Sequence, residues 1–322
     1  MSQDRIRRRA YLAWLVVCVV WGTTYLGIRI ALDTIPPALI GGIRYTIGGI
    51  VIAVPFALRR ELPAVRHWAG SVLLGFLMIC LGNGAVIWAE QWVPSGVSAV
   101  VIASSPFWMT GIEALLPTGE RLASHVWVGL LIGFAGILLL VWPDLSAGGA
   151  GGRQFAWGLV ALQIACIGWA LGSVYGRRHA REENVLAAAS LQMLFGGLIM
   201  LAIATVRGEW AELTFTPRTL AAEAYLTLIG SIAAYSAYVY ALKYLPVSTV
   251  SLYAYVNPVI AVLLGAVVLG EASGVRVVTA SALVLLGIAV VRVGPTALAS
   301  GLRVISGSRS SLRADGEINP EA

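Results

Sequence analysis

Residues 10–32 read AYLAWLVVCVVWGTTYLGIRIAL, a run that contains a single charged side chain, Arg29. A helix of about 20 apolar residues crosses the hydrocarbon core of a bilayer, so this stretch predicts a membrane-spanning helix. A cleaved signal peptide is the competing interpretation of residues 5–26, but the apolar region of such a peptide is only about 7–15 residues long. The run here is longer and has no clean small-residue cleavage site, which favours a permanent span.

The rest of the chain has a similar composition. Of its 322 residues, 58% are hydrophobic and 12% are charged, whereas soluble domains carry about 25% charged residues. Further apolar runs lie between short polar islands, so the sequence predicts an all-α membrane protein with ten transmembrane helices. Their predicted bounds are 10–32, 37–58, 68–90, 96–117, 124–142, 154–175, 185–206, 219–242, 248–269 and 274–293.

Arginine and lysine are distributed unevenly between the loops. If the N-terminus lies in the cytoplasm, 16 of the 22 basic residues fall on the cytoplasmic side and four on the opposite side. Basic residues are enriched in cytoplasmic loops, so both termini are predicted to be cytoplasmic, in a bacterial-type inner membrane. Residues 1–9 form the predicted cytoplasmic N-terminal segment, and residues 294–322 form a predicted disordered cytoplasmic tail.

The second half of the sequence resembles the first. A shift of 148 residues superposes Trp21 on Trp169, and a shift of 152 residues superposes Pro106 on Pro258. Such matches, in the same order and with nearly constant offset, predict a duplication of a five-helix unit. Because five is odd, the second copy enters the membrane inverted, as in many secondary transporters. The predicted parts are a first repeat at 10–142, a glycine-rich linker at 143–153 and a second repeat at 154–293.

Rare residue types exclude or disfavour several other classes. The single lysine, Lys243, does not follow a glycine-rich phosphate-binding loop, so a self-contained ATPase is excluded. The three cysteines and three histidines are scattered singly, so we predict no disulfide, metal or cofactor. The basic residues flank apolar segments and form no continuous face for nucleic acid. No Ser/His/Asp set is evident, which disfavours a membrane-embedded enzyme.

Several short motifs resemble those of a known family. They are WGTTY at 21–25, NG at 83–84, VPSG at 93–96, WALGSVYG at 169–176 and AYVNPV at 254–259. Their order over residues 10–293 resembles the EamA family of drug/metabolite transporters, and WALGSVYG is similar to the YedA-type permeases within it. The resemblance implies an inner-membrane exporter of small metabolites with a central cavity between two five-helix repeats. It implies no particular substrate.

Polar and aromatic side chains near mid-span are the candidate substrate-binding residues. Pro106 and Pro258 each remove a backbone donor and free a carbonyl one turn earlier, and in lipid that carbonyl needs a partner from protein or cavity water. The two prolines are predicted to be hinges or cavity walls, and a kink that only shapes packing is the alternative. Aromatic rings can stack on a substrate, although most membrane aromatics are core or interfacial. The predicted set is Trp21, Thr24, Tyr25, Asn83, Ser104, Ser105, Trp169, Ser173, Tyr235, Tyr255 and Asn257.

Charged residues at membrane depth are predicted to gate or couple transport. Burying a lone charge there costs at least about 2–3 kcal/mol, so we expect Glu90 to pair with Arg44 or Arg29 at an outer gate. Snorkelling of these side chains to the headgroups is the alternative. Glu113 is a candidate proton carrier or, alternatively, a local partner for Arg121. Glu271, at a span end, is predicted to be a structural cap. The predicted gating or coupling residues are Arg29, Arg44, Glu90, Glu113, Pro106 and Pro258.

Together these features predict a secondary transporter that works by alternating access. Its predicted cargo is a small polar or amphipathic metabolite, such as an amino acid or a related compound, moved outward. The predicted partners are this metabolite, the lipid bilayer and, if a carboxyl group couples transport, protons; no protein partner is predicted. A channel-like facilitative permease and a multidrug efflux protein are alternatives, whereas a non-transporting receptor is disfavoured.

Overall fold

The computed structural model describes residues 3–116, 124–146, 149–179, 184–245, 250, 253–271 and 274–290. Every regular element within these ranges is helical, as the sequence predicts. In chain order the helices are α1 (Gln3–Ala31), α2 (Pro37–Leu58), α3 (Val65–Ala89), α4 (Ser95–Ile102), α5 (Ser105–Leu115), α6 (Ser124–Ser146), α7 (Gly149–Arg178), α8 (Val185–Val206), α9 (217–244), α10 (Tyr253–Leu269) and α11 (Val275–Val290).

Six of the described helices are long and apolar enough to cross a membrane, judged by length and composition. They are α1, α2, α3, α7, α8 and α9, and four shorter apolar segments accompany them at Ser95–Met109, Ser124–Leu139, Val256–Leu269 and Val275–Val290. Large apolar side chains also cover the outside of the protein: Leu131 is 70% exposed and Val267 is 82% exposed. Extended apolar surface of this kind is typical of a protein that contacts lipid.

Two predicted boundaries differ from the structure. The predicted span 96–117 is interrupted between α4 and α5, because Pro106 cannot donate the next helical hydrogen bond. The predicted linker 143–153 is helical in α6 and α7 apart from residues 147 and 148, which lie outside the described residues. Helix propensity is a weak prior that tertiary context overrides. The predicted tail, 294–322, also lies outside the described residues.

Helices α2 and α8 approach each other closely enough for their backbones to touch. A Cβ atom on Gly49 would lie 2.5 Å from the backbone nitrogen of Leu194, and one on Gly197 would lie 2.4 Å from that of Thr46. In lipid, the hydrophobic effect does not drive helices together, so their association depends on van der Waals packing. Small residues permit the close backbone contact that this packing requires. The contact fixes the position of α2 and therefore of Arg44, which α2 carries.

Helices α3 and α9 each contain a segment with π-helical hydrogen bonding. The segments are Gly75–Gly84 in α3 and Leu226–Ala233 in α9, and they begin 151 residues apart in the sequence. In the first of them the side-chain amide of Asn83 donates to the backbone oxygen of Met78 at 2.9 Å. Such segments are rare and occur frequently at functional sites, because the wider turn displaces backbone polar groups from the regular ladder.

We expect Gly197→Ala to lower the thermal unfolding midpoint of the purified protein. The added methyl group would press on the Thr46 backbone, and overpacking of this kind costs about 1–3 kcal/mol. Gly111 is the matched control, because it is also helical and a Cβ atom there would meet nothing within 4 Å. Gly111→Ala should leave the midpoint unchanged or raise it, and equal destabilisation by both substitutions would contradict the close α2–α8 contact.

Candidate functional site

A cavity of about 140 Å³ lies at the centre of the described helices. About 10–15 Å³ is enough to hold one water molecule, so the cavity has room for a small organic molecule. Side chains from α1, α2, α3, α4, α5, α7, α9 and α10 reach it. Of the residues predicted from sequence, those that line it are Trp21, Thr24, Tyr25, Arg44, Asn83, Ser105, Trp169, Tyr235, Asn257 and Pro258.

The other predicted substrate-binding residues lie away from the cavity or outside the described side chains. The Ser104 hydroxyl donates to the backbone oxygen of Val101 at 2.6 Å, and the Ser173 hydroxyl donates to that of Trp169 at 2.7 Å. These local bonds satisfy both hydroxyls within the same stretch of chain. The side chains of Tyr255 and Glu113 are outside the described part of the structure.

Side chains beside the two prolines satisfy backbone groups. Pro106 cannot donate to the carbonyl of Ile102, and the Ser105 hydroxyl donates to that carbonyl instead, at 2.7 Å. Before Pro258, the side-chain nitrogen of Asn257 faces the carbonyls of Cys18 and Tyr253, at 3.0 and 3.1 Å. The first of these two bonds joins α10 to α1. Ser105 therefore satisfies the carbonyl at the break before Pro106, and Asn257 joins α10, which continues through Pro258, to α1.

Trp21 is the centre of an aromatic cluster on one side of the cavity. Its ring meets those of Trp169 and Tyr253 edge to face, with centroids 6.4 and 5.0 Å away, and that of Tyr238 at 5.1 Å. The indole nitrogen donates to the backbone oxygen of Gly230 in the π segment of α9, at 3.3 Å. The cluster thus joins α1, α7, α9 and α10 and gives the cavity a stacking surface.

Arg44 lies in the cavity wall and is 4% exposed. Its Nε donates to the hydroxyl of Ser231 in the π segment of α9 at 2.5 Å, and its guanidinium lies 4.8 Å from the centroid of the Tyr45 ring. Glu223 is equally buried, interacts electrostatically with Arg44, and has no hydrogen-bond partner for its carboxyl oxygens among the described residues. A buried guanidinium that lines the cavity therefore lies near a buried carboxyl group that does not.

Sequence reasoning missed three residues that line this wall and one that interacts with it. Tyr45, Gly230 and Ser231 line the cavity, and Glu223 interacts electrostatically with Arg44. The available signal was the acidic Glu223 inside a predicted apolar span, 219–242. The other three stand in no sequence pattern that marks a binding site. Gly230 and Ser231 reach the cavity through the π segment of α9, whose formation depends on packing.

The predicted ion pair of Glu90 with an arginine is absent from this conformation. Arg29 donates from Nη1 to the backbone oxygens of Glu90 and Gln91, at 2.6 and 3.2 Å, and Arg44 is bonded to Ser231. The Glu90 side chain is fully buried, and its carboxyl oxygens have no hydrogen-bond partner in the described parts of the chain. The carbonyls just after α3 bind the Arg29 guanidinium instead, because they accept no helical hydrogen bond and lie at the negative end of the helix dipole.

Carboxylates from the second half of the chain cap two helices of the first half. The Oε1 atom of Glu271 accepts from the backbone nitrogen of Ser95 at 2.8 Å, and its Oε2 accepts from the Ser95 hydroxyl at 3.0 Å and from the nitrogen of Gly96 at 3.2 Å. The capping role predicted for Glu271 is confirmed. Glu209 accepts in the same way from the backbone nitrogen of Ala38, at the start of α2, at 2.9 Å. Each bond satisfies a donor that the helix leaves free.

Comparison with known proteins identifies the class to which this arrangement belongs. The sequence profile of the EamA-like transporter family matches residues 8–142 and, a second time, residues 156–293. The chain belongs to this family. Its membership confirms the family assignment that the short motifs suggested, and it confirms that the chain is a transporter rather than an enzyme.

Individual EamA relatives agree with this assignment. The chain is 38% identical over 263 residues to the uncharacterized inner membrane transporter YedA of Escherichia coli (strain K12), covering 80% of this chain and 82% of that protein. It is 29% identical over 210 residues to the uncharacterized transporter YvbV of Bacillus subtilis (strain 168), covering 65% of each. A crystal structure at 23% identity matches 88% of this chain and 96% of its own with a TM-score of 0.60, which shows a shared fold.

We expect Glu271→Ala to lower the stability of the purified protein by about 1–2 kcal/mol, the usual effect of removing a helix cap. Two backbone N–H groups of α4 would lose their acceptor. Glu212→Ala is the matched control, because Glu212 is exposed. The measurement is the thermal unfolding midpoint in detergent, and indistinguishable midpoints for the two variants would contradict the capping role.

Proposed function

We propose that the chain is a secondary transporter that exports small polar or amphipathic metabolites, such as amino acids and related compounds, by alternating access. The observation that carries this proposal is the central cavity, which combines an aromatic cluster around Trp21 with polar groups such as Asn83 and Arg44. A cavity with mostly apolar walls and few fixed polar groups is the usual form of a small-molecule site. The membership of a transporter family supports a role in moving that molecule across the membrane.

We further propose that ten helices form two inverted five-helix repeats, 10–142 and 154–293, with both termini in the cytoplasm. Two features support the duplication. The family profile matches the chain twice, and π segments recur in α3 and α9 with starting points 151 residues apart. Inverted repeats of similar structure can exchange conformations about a site near the middle of the bilayer. The large excess of basic residues in the loops assigned to the cytoplasm supports the orientation.

In this topology, polar contacts between the two halves close the outer side of the cavity. Thr34, after α1, donates from its hydroxyl to the backbone oxygen of Thr214 at 2.6 Å, and the nitrogen of Thr214 donates back to the Thr34 carbonyl at 3.2 Å. The carboxylate of Glu271 on Ser95 and that of Glu209 on Ala38 lie on the same side. Export would require these contacts to open, so the proposal assigns them the role of an outer gate.

Six residues are proposed to gate or couple this movement. Arg29 joins α1 to the end of α3. The helix break before Pro106 and the proline inside α10, Pro258, are proposed as hinges. Proton antiport needs a carboxyl group that can exchange a proton; the buried Glu90, without a hydrogen-bond partner among the described residues, is suited to this role, and Glu113 is the second candidate. Arg44 is the proposed charged residue of the cavity itself.

A flux screen tests the proposal directly. Proteoliposomes containing the full chain should take up at least one member of a radiolabelled metabolite library saturably, and unlabelled substrate loaded on the far side should accelerate that uptake. Imposing and then collapsing a pH gradient should change the rate if protons are coupled. A channel-like permease, the alternative, would give flux without acceleration by the opposite pool. The absence of saturable uptake across the library would refute the proposed function.

Cross-linking tests the outer gate. The double variant Thr34→Cys/Thr214→Cys places two thiols where the backbones of these residues already exchange hydrogen bonds. Oxidation should reduce transport at least tenfold, and reduction should restore it, because a closed outer gate prevents release. The three native cysteines are buried, and the two single variants control for their oxidation. Undiminished transport by the oxidised double variant would show that this contact does not open during the cycle.

A further inference from the structure

The guanidinium of Arg44 is held by one hydrogen bond, and some of its N–H donors have no acceptor among the described residues. Its Nε donates to the Ser231 hydroxyl, whereas its two terminal amino groups have no hydrogen-bond acceptor among the described residues. The residue is 4% exposed overall and lines the cavity. A guanidinium carries five N–H donors in a planar fork, so a part of this fork remains available to a molecule in the cavity.

The nearest acidic side chain does not occupy that fork. Glu223 interacts electrostatically with Arg44, yet its carboxyl oxygens make no hydrogen bond, and no ion pair joins the two residues within the described part of the chain. A buried cation without a close counter-charge is costly. An anion that approached the terminal amino groups would lower that cost, and the fork of arginine matches the two oxygens of a carboxylate.

The backbone of α9 gives this position its shape. Gly230 has no side chain, and a Cβ atom there would lie 3.2 Å from Nη2 of Arg44 and 3.0 Å from Cγ2 of Thr24. The carbonyl of the same glycine accepts the indole N–H of Trp21. Gly230 therefore lies between the guanidinium and the aromatic cluster. A single molecule in the cavity can contact the guanidinium and the aromatic rings together.

We infer that Arg44 binds the carboxylate of the transported molecule, and that the substrates are carboxylic acids whose body is aromatic or otherwise flat and apolar. This inference rests on the transport function proposed above. The carboxylate accepts hydrogen bonds from the terminal amino groups of Arg44, while the apolar body lies against the rings of Trp21 and Trp169. Gly230 permits the approach, and Ser231 holds the guanidinium in the orientation that presents the fork.

A matched pair of ligands tests this assignment on the purified full chain. The probes are 3-phenylpropionate and 3-phenylpropionamide, which share the ring and differ in charge, and their dissociation constants are measured by titration calorimetry. The acid should bind at least about tenfold more tightly than the amide, because hydrogen bonds to a charged partner are worth more than neutral ones. Equal affinities for the acid and the amide would overturn the inference.

Substitutions in the cavity wall test whether Arg44 causes the preference for the acid over the amide. Arg44→Gln should reduce the ratio of acid to amide affinity to about one, and Arg44→Lys, which keeps the charge but loses the fork, should give an intermediate ratio. Gly230→Ala keeps Arg44 and displaces its guanidinium, so it should also reduce the ratio and remains informative if Arg44→Gln fails to fold. Arg218→Gln is the control, because its side chain is 63% exposed and pairs with Asp33 at 3.8 Å. An undiminished ratio in Gly230→Ala and in the Arg44 variants would overturn the role of Arg44.

Failure of this inference differs from failure of the proposed function. If the acid binds selectively through Arg44 but the flux screen finds no saturable uptake, the carboxylate site stands and the transport proposal fails. If the screen finds flux only for cations or neutral compounds, transport stands and the carboxylate inference is overturned. L-Phenylalanine as a third ligand separates amino acids from simple acids. Tighter binding of the amino acid than of 3-phenylpropionate supports a zwitterionic substrate held by the same residue.

Discussion

Inside a bilayer, a backbone N–H or C=O group that leaves the helical ladder must find its partner within the protein, because no water is available to replace it. This constraint explains most of the polar contacts of the interior. The Ser105 hydroxyl bonds the carbonyl that Pro106 cannot reach, and Arg29 bonds the carbonyls of Glu90 and Gln91, which follow the end of α3. The Asn257 amide bonds one carbonyl of its own helix and one of α1. These polar side chains are therefore placed at a helix break, at a helix end and at a contact between two helices.

The cavity is a consequence of the same interruptions. Two π segments and the break between α4 and α5 lie around it, and each widens or interrupts a helix that would otherwise pack closely against its neighbours. Where the helices are regular, as in α2 and α8, glycines bring the backbones into contact and leave no space. The protein thus combines rigid pairs of helices with irregular ones that surround the cavity. This division is physically suited to a cycle in which the irregular segments change shape while the packed pairs move as units.

Much of the cavity was predictable from residue type and depth. Aromatic and polar residues near mid-span, such as Trp21 and Asn83, line it, because in lipid a polar group at that depth requires a protein-lined interior. The pairing of charges was not predictable. The predicted topology puts Arg29 and Arg44 at the depth of Glu90, but each guanidinium bonds another acceptor, a carbonyl after the end of α3 in one case and a hydroxyl in the other. Depth along a helix gives no information about which face a side chain occupies or which acceptors compete for it.

The amino-acid sequence by itself determined that the chain is helical and that its helices are apolar enough for a membrane, because hydropathy and its periodicity are local properties. It also determined the family, through short motifs in a fixed order. Only the tertiary structure decided which residues meet across the cavity: Gly230 and Ser231 against Arg44, and Glu271 on the start of α4. These contacts join residues that lie more than 170 positions apart in the chain, and no local pattern specifies the rotation of one helix against another. That rotation follows from the fit of side chains and glycines across the interfaces, which exists only once the helices have assembled.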